Sequence, residues 1–578
     1  MIRSERRRLL LLLAGTGAGA LALAALPGFL SPFAVRVLQA LLLGAGFASA
    51  WNILGGFAGY WSFGHSAFIG IGGFTAALWS EHGGFADPNA TFAAAVLGGG
   101  LACALFAAVL GYPLLRLRGT YFSIAMLGVA LVLSELADSL DVVEGATGIS
   151  LPSAGPTDMR PEVFFYFVML GLALLTVWVA CLIRCSRFGY GLLAIREDED
   201  TARMLGVPTE RYKLSCLLVS ALLTGCLGAA FAYSLGFVNT GSLFRPDLGL
   251  DMVVFSLLGG AGTVFGPIVG AALMTVLTQV VLGGLLRIHL LVTGLLVVAL
   301  VLLLPRGILD LLPARRRSRA VVAAPAPPTA VPHMAGDILE LRGLTVQFRG
   351  LKAMDGVSLA VPAGSLCSVI GPNGAGKSTL FNAVTGYVRP SSGAVLFKGR
   401  RIDRVATYRL SRMGIGRAFQ IAKPFPGMTV FDNVLVGALF GRAGRRDPEV
   451  VAADALRLGG LADLAGEAAA SLPVGHLRRL ELARVIATRP VLLLADEPCA
   501  GLNATETLDV IAVLDEARRR GMTVLLVEHD MATVMRVSDW LFVIAAGANV
   551  ADGPPAAMAR HPKVIEAYLG HAAPATGA

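Results

Sequence analysis

Gly371, Pro372, Asn373, Gly374, Ala375, Gly376, Lys377 and Ser378, followed by Thr379, satisfy the spacing G-x-x-x-x-G-K-[ST]. The run lies between a strand-like segment, Leu366 to Ile370, and a helix-like segment from Ser378, the setting of a phosphate-binding loop rather than an ordinary Gly-rich turn. Its glycines allow backbone angles that a side chain would forbid, so successive N–H groups and a helix N-terminus converge on phosphate oxygens. In that loop Lys377 reaches the β- and γ-phosphates, and the Ser378 hydroxyl ligates Mg²⁺. Downstream, Val491 to Ala495 reads as a buried parallel strand ending in Asp496, Glu497 and Pro498. A carboxylate at a strand end suits Mg²⁺, which assigns Asp496, and the next carboxylate, Glu497, orients or deprotonates the attacking water. The chemistry is ATP hydrolysis.

The rest of the chain says where that ATP is used. Of 578 residues 55% are hydrophobic and 15% charged, with a mean hydropathy of +0.70. Such a balance places about half of the chain in lipid. The formal charge of +9 does not indicate nucleic acid. Much of the basic surplus sits in Arg3, Arg6, Arg7 and Arg8 and in Arg315, Arg316, Arg317 and Arg319, beside apolar runs, as cytoplasmic anchoring requires. Seven cysteines are scattered without metal spacing or a disulfide framework. The N-terminal apolar run lacks a small-residue cleavage site and reads as a retained first helix.

Further spans, each of about 20 apolar residues, begin near Val35, His65, Thr91, Gly119, Val163, Lys213, Leu250, Val264 and Leu290, which predicts about ten. Arg184, Arg187, Arg196, Arg203, Arg211 and Lys213 make the segment between Leu182 and Leu214 cytoplasmic, and the acid-rich segment from Ala137 to Val163 external. Arg36 and Arg287 fall outside in this scheme and count against it. Gly259, Gly260, Gly262, Gly266 and Pro267 interrupt one apolar run and read as a tight turn or discontinuous helix. Inside a membrane such a break needs protein or a cavity to satisfy its backbone.

These patterns divide the chain into a polytopic α-helical membrane domain, residues 1–312, an Arg/Ala/Pro-rich linker, residues 313–336, and an α/β P-loop ATPase domain, residues 337–578.

The ATPase domain resembles the ATP-binding-cassette proteins. The segment Leu472 to His476 and the run Leu480 to Arg484 look like the cassette signature. The resemblance implies that Pro473, Val474, Gly475 and His476 close over ATP held by a second cassette. It also makes Gln420 the metal- or water-sensing residue, His529 the γ-phosphate switch and Phe348 the adenine-stacking aromatic. Mg²⁺ would then be shared by Ser378, Gln420 and Asp496. The signature departs from Ser-Gly-Gly-Gln at Pro473 and, less usually, at His476.

Gly350 to Asp355, Arg478 to Arg484, Ala500 to Asn503 and Val564 to Gly570 narrow the likeness to the ATPase subunit of high-affinity branched-chain amino acid importers. Gly64 to Gly72, Leu115 to Phe122, Ala194 to Asp198, Ala202 to Gly206, Arg211 to Lys213 and Leu258 to Gly262 resemble a permease subunit of the same transporters. The resemblance implies one fused half of an importer in a bacterial plasma (inner) membrane, with the ATPase cytoplasmic. Its partners would be a second permease, a second ATPase and an extracytoplasmic solute-binding protein, with a homodimer as the alternative assembly. It further implies that Glu197 to Gly206, with Glu197, Asp198, Ala202 and Gly206, forms a short coupling helix docked on an ATPase groove; the charge mixture alone also fits a solvated loop.

Substrate contacts are less legible. Asn52, His65, Ser66 and Glu135 are polar groups near or within spans, and each reads equally as a pathway residue or an interhelical hydrogen bond. An amino acid is the expected substrate, with amides, urea or short peptides compatible. A half-size exporter would have fewer spans and long cytoplasmic helical extensions. A scaffold with a weakened ATPase is raised by His476 and opposed by intact Lys377, Asp496, Glu497 and His529.

Overall fold

In hydrocarbon a backbone N–H finds no water, so an apolar chain satisfies its polar groups within helices. The computed structural model describes residues 3–83, 85–140, 147–281, 307–311, 336–442 and 447–569, with isolated positions between 294 and 303. It divides into two compact units, residues 1–196 with 209–315, and residues 316–578 with 197–208.

The first unit contains α1 (Arg3–Ala25), α2 (Pro32–Asn52), α3 (Ser66–His82), α4 (Pro88–Leu114), α5 (Thr120–Ser139), β1 (Ile149–Ser150), α6 (Pro161–Arg184) and most of α7 (Arg187–Glu197). After a short helix that belongs to the other unit, α8 (Glu199–Met204), come α9 (Thr209–Leu235), β2 (Phe237–Val238), α10 (Thr240–Leu243), α11 (Pro246–Gly259) and α12 (Gly266–Thr275). Among the described residues six helices are long and apolar enough to cross a membrane: Glu5–Gly28, Pro32–Phe57, Pro88–Leu114, Thr120–Ser139, Pro161–Arg184 and Thr209–Leu235.

Three more expected spans fold as shorter helices. α3 has 17 residues, α12 has ten before a π-helical turn, and α11 has 14. At ~1.5 Å per residue α11 is about 21 Å long, short of a ~30 Å hydrocarbon core. Apart from isolated positions, the span expected near Leu290 lies outside the described residues, as does the linker up to residue 335 with its arginines.

Small residues set the packing. A Cβ on Gly72 of α3 would fall 2.3 Å from the Gly225 carbonyl oxygen of α9, and one on Gly99 of α4 would fall 2.7 Å from the Gly72 carbonyl oxygen. Only glycine permits three backbones to approach so closely. Outside this junction Phe92 stands edge-on to Phe165 and Tyr233, joining α4, α6 and α9 with an aromatic cluster.

Two helix breaks meet in this unit. α2 runs into a π-helical turn, Ile53–Phe57, and irregular chain then leads to α3. α11 ends at Gly259, Gly260 turns with φ 122°, and α12 doubles back as a helical hairpin. Asn52 joins the breaks: its Nδ2 donates to the Thr263 carbonyl at 2.8 Å and its Oδ1 accepts from Gly262 N–H at 2.8 Å. It is therefore an interhelical hydrogen-bonding residue. His65 is likewise bonded through Nε2 to Ser220 Oγ at 2.9 Å.

The second unit is α/β. A four-stranded antiparallel sheet of order β4-β3-β6-β7 is formed by β3 (Asp337–Phe348), β4 (Leu351–Pro362), β6 (Ser392–Phe397) and β7 (Arg400–Arg401). The other sheet is six-stranded, of order β12-β11-β5-β10-β9-β8. Its strands are β5 (Leu366–Ile370), β8 (Ile415–Ala418), β9 (Leu492–Asp496), β10 (Thr523–Val527), β11 (Trp540–Ala545) and β12 (Ala548–Gly553), parallel except for β12. Every residue of β5, β8, β9 and β10 is buried, which is why β5, β9 and β10 read as largely apolar runs, while β8 buries Arg417. The carboxyl ends of β5, β10 and β9 lie side by side at one edge of the sheet, the edge at which open α/β sheets bind ligands.

Candidate nucleotide site

β5 ends at Ile370 and the chain turns directly into the glycine loop. A Cβ on Gly371 would lie 1.9 Å from the Ile544 carbonyl oxygen, so the loop takes its course only with glycine there. Gly376 caps helix Lys377–Val384 with φ 97°, an angle that glycine adopts without steric cost. Asn373 and Ser378 are exposed and Thr379 half-buried. Lys377 Nζ donates to the Gly371 carbonyl at 2.6 Å and the Pro372 carbonyl at 3.0 Å, which leaves one of its three protons for a further acceptor. Burial holds the Lys377 ammonium below its usual range, opposed by the nearby Glu497 and Asp496 carboxylates.

Asp496 closes β9. Its Oδ2 accepts from Arg417 Nη2 at 2.8 Å, and both side chains are almost completely buried. Its Oδ1 is also buried and has no hydrogen-bond partner. Burial raises the Asp496 carboxyl, with Arg417 pulling the other way. A buried carboxylate oxygen lacking a protein partner fits a cation ligand, so Asp496, with the exposed Ser378 hydroxyl, suits Mg²⁺.

Glu497 follows at φ 48°, left-handed and non-glycine, with its N–H held by the Val527 carbonyl at 2.8 Å. Such a conformation costs on the order of 1–3 kcal/mol and needs surrounding structure to maintain it. Gln420 Nε2 donates to Glu497 Oε2 at 2.7 Å, and His529 Nε2 meets Oε1 at 2.5 Å. The structure thus brings Glu497, Gln420 and His529 together. Phe348 ends β3 with its ring about half exposed.

The signature residues begin helix Val474–Ile486. Pro473 is its N-cap, Val474 is exposed, His476 is half-buried, and a Cβ on Gly475 would lie 2.4 Å from Glu506 Oε1. The same helix grips the segment around Gln420, residues 419–423, with three ionisable side chains. Arg478 Nη1 donates to the Gln420 carbonyl at 2.5 Å, Glu481 Oε1 accepts from Phe419 N–H at 2.7 Å, and Arg484 Nη1 donates to the Lys423 carbonyl at 2.8 Å. Burial pushes Glu481 up to about 7, against the pull of Arg484 and the Phe419 N–H.

Residues 197–208 pack within the ATPase unit. Asp198 caps α8 and pairs with Lys423 at 3.4 Å. Burial alone would raise its carboxyl, but hydrogen bonds from Thr201 and the Lys423 charge hold it below its usual range. Glu197 Oε2 accepts from Gly427 N–H at 3.0 Å, and Tyr387 Oη donates to the Asp200 carbonyl at 3.0 Å. Ala202 is fully buried, and Gly206, at φ 97°, would place a Cβ 2.4 Å from the Phe440 carbonyl oxygen.

Arg417 and Glu481 place ionisable side chains in the core of this site; no motif indicated Arg417, and Glu481 lay within the signature-like run without a role of its own. The available signal is compositional: Arg417 is the one charged residue in a strand that is buried throughout, and Arg478, Glu481 and Arg484 share a helix face at three-residue intervals.

A P-loop α/β domain with this order of parts, joined to a helical membrane domain, defines an ATP-driven membrane transporter. Comparison with known proteins narrows the class. Residues 33–301 match the family described as branched-chain amino acid transport system / permease component. Residues 354–500 match the ABC transporter family, and 549–574 the branched-chain amino acid ATP-binding cassette transporter family.

The high-affinity branched-chain amino acid transport ATP-binding protein BraF of Pseudomonas aeruginosa is 42% identical over 255 residues, 41% of this chain and 100% of the relative. LivG of Escherichia coli K12, described in the same words, is 38% identical over the same shares. The crystal structure of a nucleotide-free ATP-binding cassette from an ABC transporter is 30% identical, covering 40% of this chain and 99% of that one at a TM-score of 0.38. The chain belongs to the branched-chain amino acid ABC transporter family, as a fused permease and ATPase subunit of an importer, a multi-span membrane protein whose ATPase domain is cytoplasmic.

Proposed function

We propose that this chain is one permease–ATPase half of an importer for branched-chain or related amino acids, with about ten membrane segments when the short helices are counted. It would work with a second permease, a second ATPase and an extracytoplasmic solute-binding protein. The observation that carries this reading is that two separate parts of one polypeptide, residues 33–301 and 549–574, each match a branched-chain amino acid transport family.

In the ATPase, loop N–H groups and Lys377 Nζ bind the phosphates, Phe348 offers a face to the base, and Ser378, Gln420 and Asp496 hold Mg²⁺. When bound, Mg²⁺ neutralises charge that develops on the phosphate oxygens. Glu497 accepts the proton of the attacking water on its carboxylate. Gln420 Nε2 on Oε2 and His529 Nε2 on Oε1 fix the plane of that carboxylate, so its lone pairs are aimed before water arrives. The signature from Pro473 to His476 serves ATP on the second cassette. Closure of the cassette pair moves α8, through Glu197, Asp198, Ala202 and Gly206, and so changes the open side of the permease.

The test is uptake by the assembled complex in liposomes, with ATP on the cassette side and labelled leucine, isoleucine and valine outside. ATP-dependent accumulation of these amino acids is expected. Accumulation of urea or a simple amide in their place would overturn the substrate assignment, and outward movement would overturn import.

A further inference from the structure

Arg196 and Glu197 are consecutive residues in the last turn of α7, and their side chains serve different units. Arg196 Nη1 donates to the Gly56 carbonyl at 3.0 Å, within the π-helical break after α2, and approaches the Ala261 carbonyl at 3.5 Å, in the turn of the α11–α12 hairpin. Glu197 Oε2 accepts from Gly427 N–H of the ATPase unit.

The contact at Arg196 is a fitted one. A Cβ on Gly59 would lie 3.1 Å from Arg196 Cγ, one on Gly262 would lie 2.0 Å from Arg196 Nη1, and one on Gly56 would lie 2.6 Å from Gly262 N. Glycine at 56, 59 and 262 therefore makes room for the guanidinium and lets the two breaks touch. Both carbonyls are met by Nη1, whose two N–H bonds are fixed in the guanidinium plane, whereas a lysine ammonium has no such fixed plane.

Non-helical backbone at a helix break has free carbonyls and few intrahelical bonds to hold its shape, so it is where a membrane helix bends at least cost. In this unit two such breaks are fastened by the same two side chains, Asn52 and Arg196. Asn52 lies within the unit and bonds one break to the other. Arg196 is the member of the pair that is covalently next to a residue bonded to the ATPase.

We infer that Arg196 is a positioning residue for coupling: displacement of Glu197 with the ATPase turns the end of α7, and Arg196 transmits that turn to the Gly56 and Ala261 carbonyls, so that both helix breaks change shape together. This rests on the importer reading. It goes beyond it by naming the group that carries motion into the membrane unit and the two backbone sites it acts on.

The test uses the full chain assembled with its partner subunits, carrying Trp61→Cys as a reporter. Trp61 is 43% exposed and lies in the irregular segment between the first break and α3. The rate of labelling by a membrane-impermeant maleimide is compared with and without ATP and vanadate. The parent is expected to change rate at least about threefold on nucleotide trapping, as a backbone rearrangement at the reporter demands.

Arg196→Ala should abolish that change while ATP turnover and melting temperature stay near the parent, and Arg196→Lys should not restore it. Glu197→Ala, which leaves every Arg196 contact in place, should abolish it too. A nucleotide-dependent change that persists in Arg196→Ala overturns the proposal. So does a parent that hydrolyses ATP with no change in labelling, whereas a parent without turnover defeats the ATPase reading instead. Loss of turnover and melting temperature together in Arg196→Ala, with labelling in Glu197→Ala unchanged from the parent, assigns Arg196 a purely structural role and also overturns it.

Discussion

Removing Arg417 should damage the cassette more than removing a residue that touches nucleotide. Its guanidinium bonds Asp496 Oδ2 at 2.8 Å, Asn382 Oδ1 at 2.7 Å and Thr385 Oγ1 at 3.3 Å, and packs over the rings of Phe381 and Phe419. The side chains of Arg417 and Asp496 are 4% and 3% exposed. Taking one partner from a buried ion pair leaves an uncompensated charge and costs about 3–5 kcal/mol. For a domain of this size each kcal/mol moves the melting temperature by roughly 2–4 °C, so Arg417→Met should lower the cassette transition by roughly 6–20 °C. The double variant Arg417→Met with Asp496→Asn removes both charges and should recover most of that loss, while hydrolysis stays absent because Asp496 no longer offers a carboxylate. Calorimetry of the full chain reads the first effect and phosphate release the second. An Arg417→Met transition within about 2 °C of the parent, or a double variant as unstable as the single, would show that the buried pair is not what holds β8 to β9.

Glu497→Gln should keep ATP binding and lower turnover by ~10²–10⁴, the usual contribution of a general base; near-parent phosphate release in a complex whose other cassette is disabled would refute the base assignment. Gly206→Ala forces a Cβ to 2.4 Å from the Phe440 carbonyl oxygen at φ 97°, so residues 197–208 should detach and Arg203 become a faster trypsin site, and an unchanged digestion pattern would count against that docking. Glu481 is raised from 4.5 to about 7 in the fold. Folding therefore takes up a proton between those values, and the stability this contributes, full below pH 4.5, is lost as pH rises through 7. Glu481→Gln should flatten the decline in melting temperature from about pH 5 to 7; parallel profiles for the two proteins would place the titration elsewhere.

The parts of the site that were legible in the sequence are those whose chemistry is local. A glycine loop between a buried strand and a helix, and two carboxylates at a strand end, declare themselves over a few residues, and β5 and β9 lie where the apolar runs place them. Arg417, Glu481 and Asn52 act across separations of 79, 62 and 211 residues, and only the fold reveals their partners. The span count suffers from the same limit: composition marks α11 and α12 as apolar, but their lengths depend on the turn between them, which Asn52 fixes from elsewhere. The short helix at 199–204 and its docking on the ATPase were expected from likeness to relatives, whereas the partners that Glu197, Asp198 and Gly206 meet there, Gly427, Lys423 and Phe440, emerge only from the fold.

That affiliation sets an order of events during synthesis. Glu197 leaves the ribosome 230 residues before Gly427, and Asp198 leaves 225 before Lys423. At ~5–20 residues per second the wait is on the order of 10–50 s. During that interval the segment has Ala202 and the apolar side of α8 uncovered, beside helices already entering the bilayer. Four of its twelve residues, Glu197, Asp198, Glu199 and Asp200, are acidic, which keeps the stretch hydrated and disfavours its entry into hydrocarbon until the cassette is complete. The fused arrangement then gives each permease its own ATPase at an effective concentration set by the tether rather than by the cell's supply of free subunits.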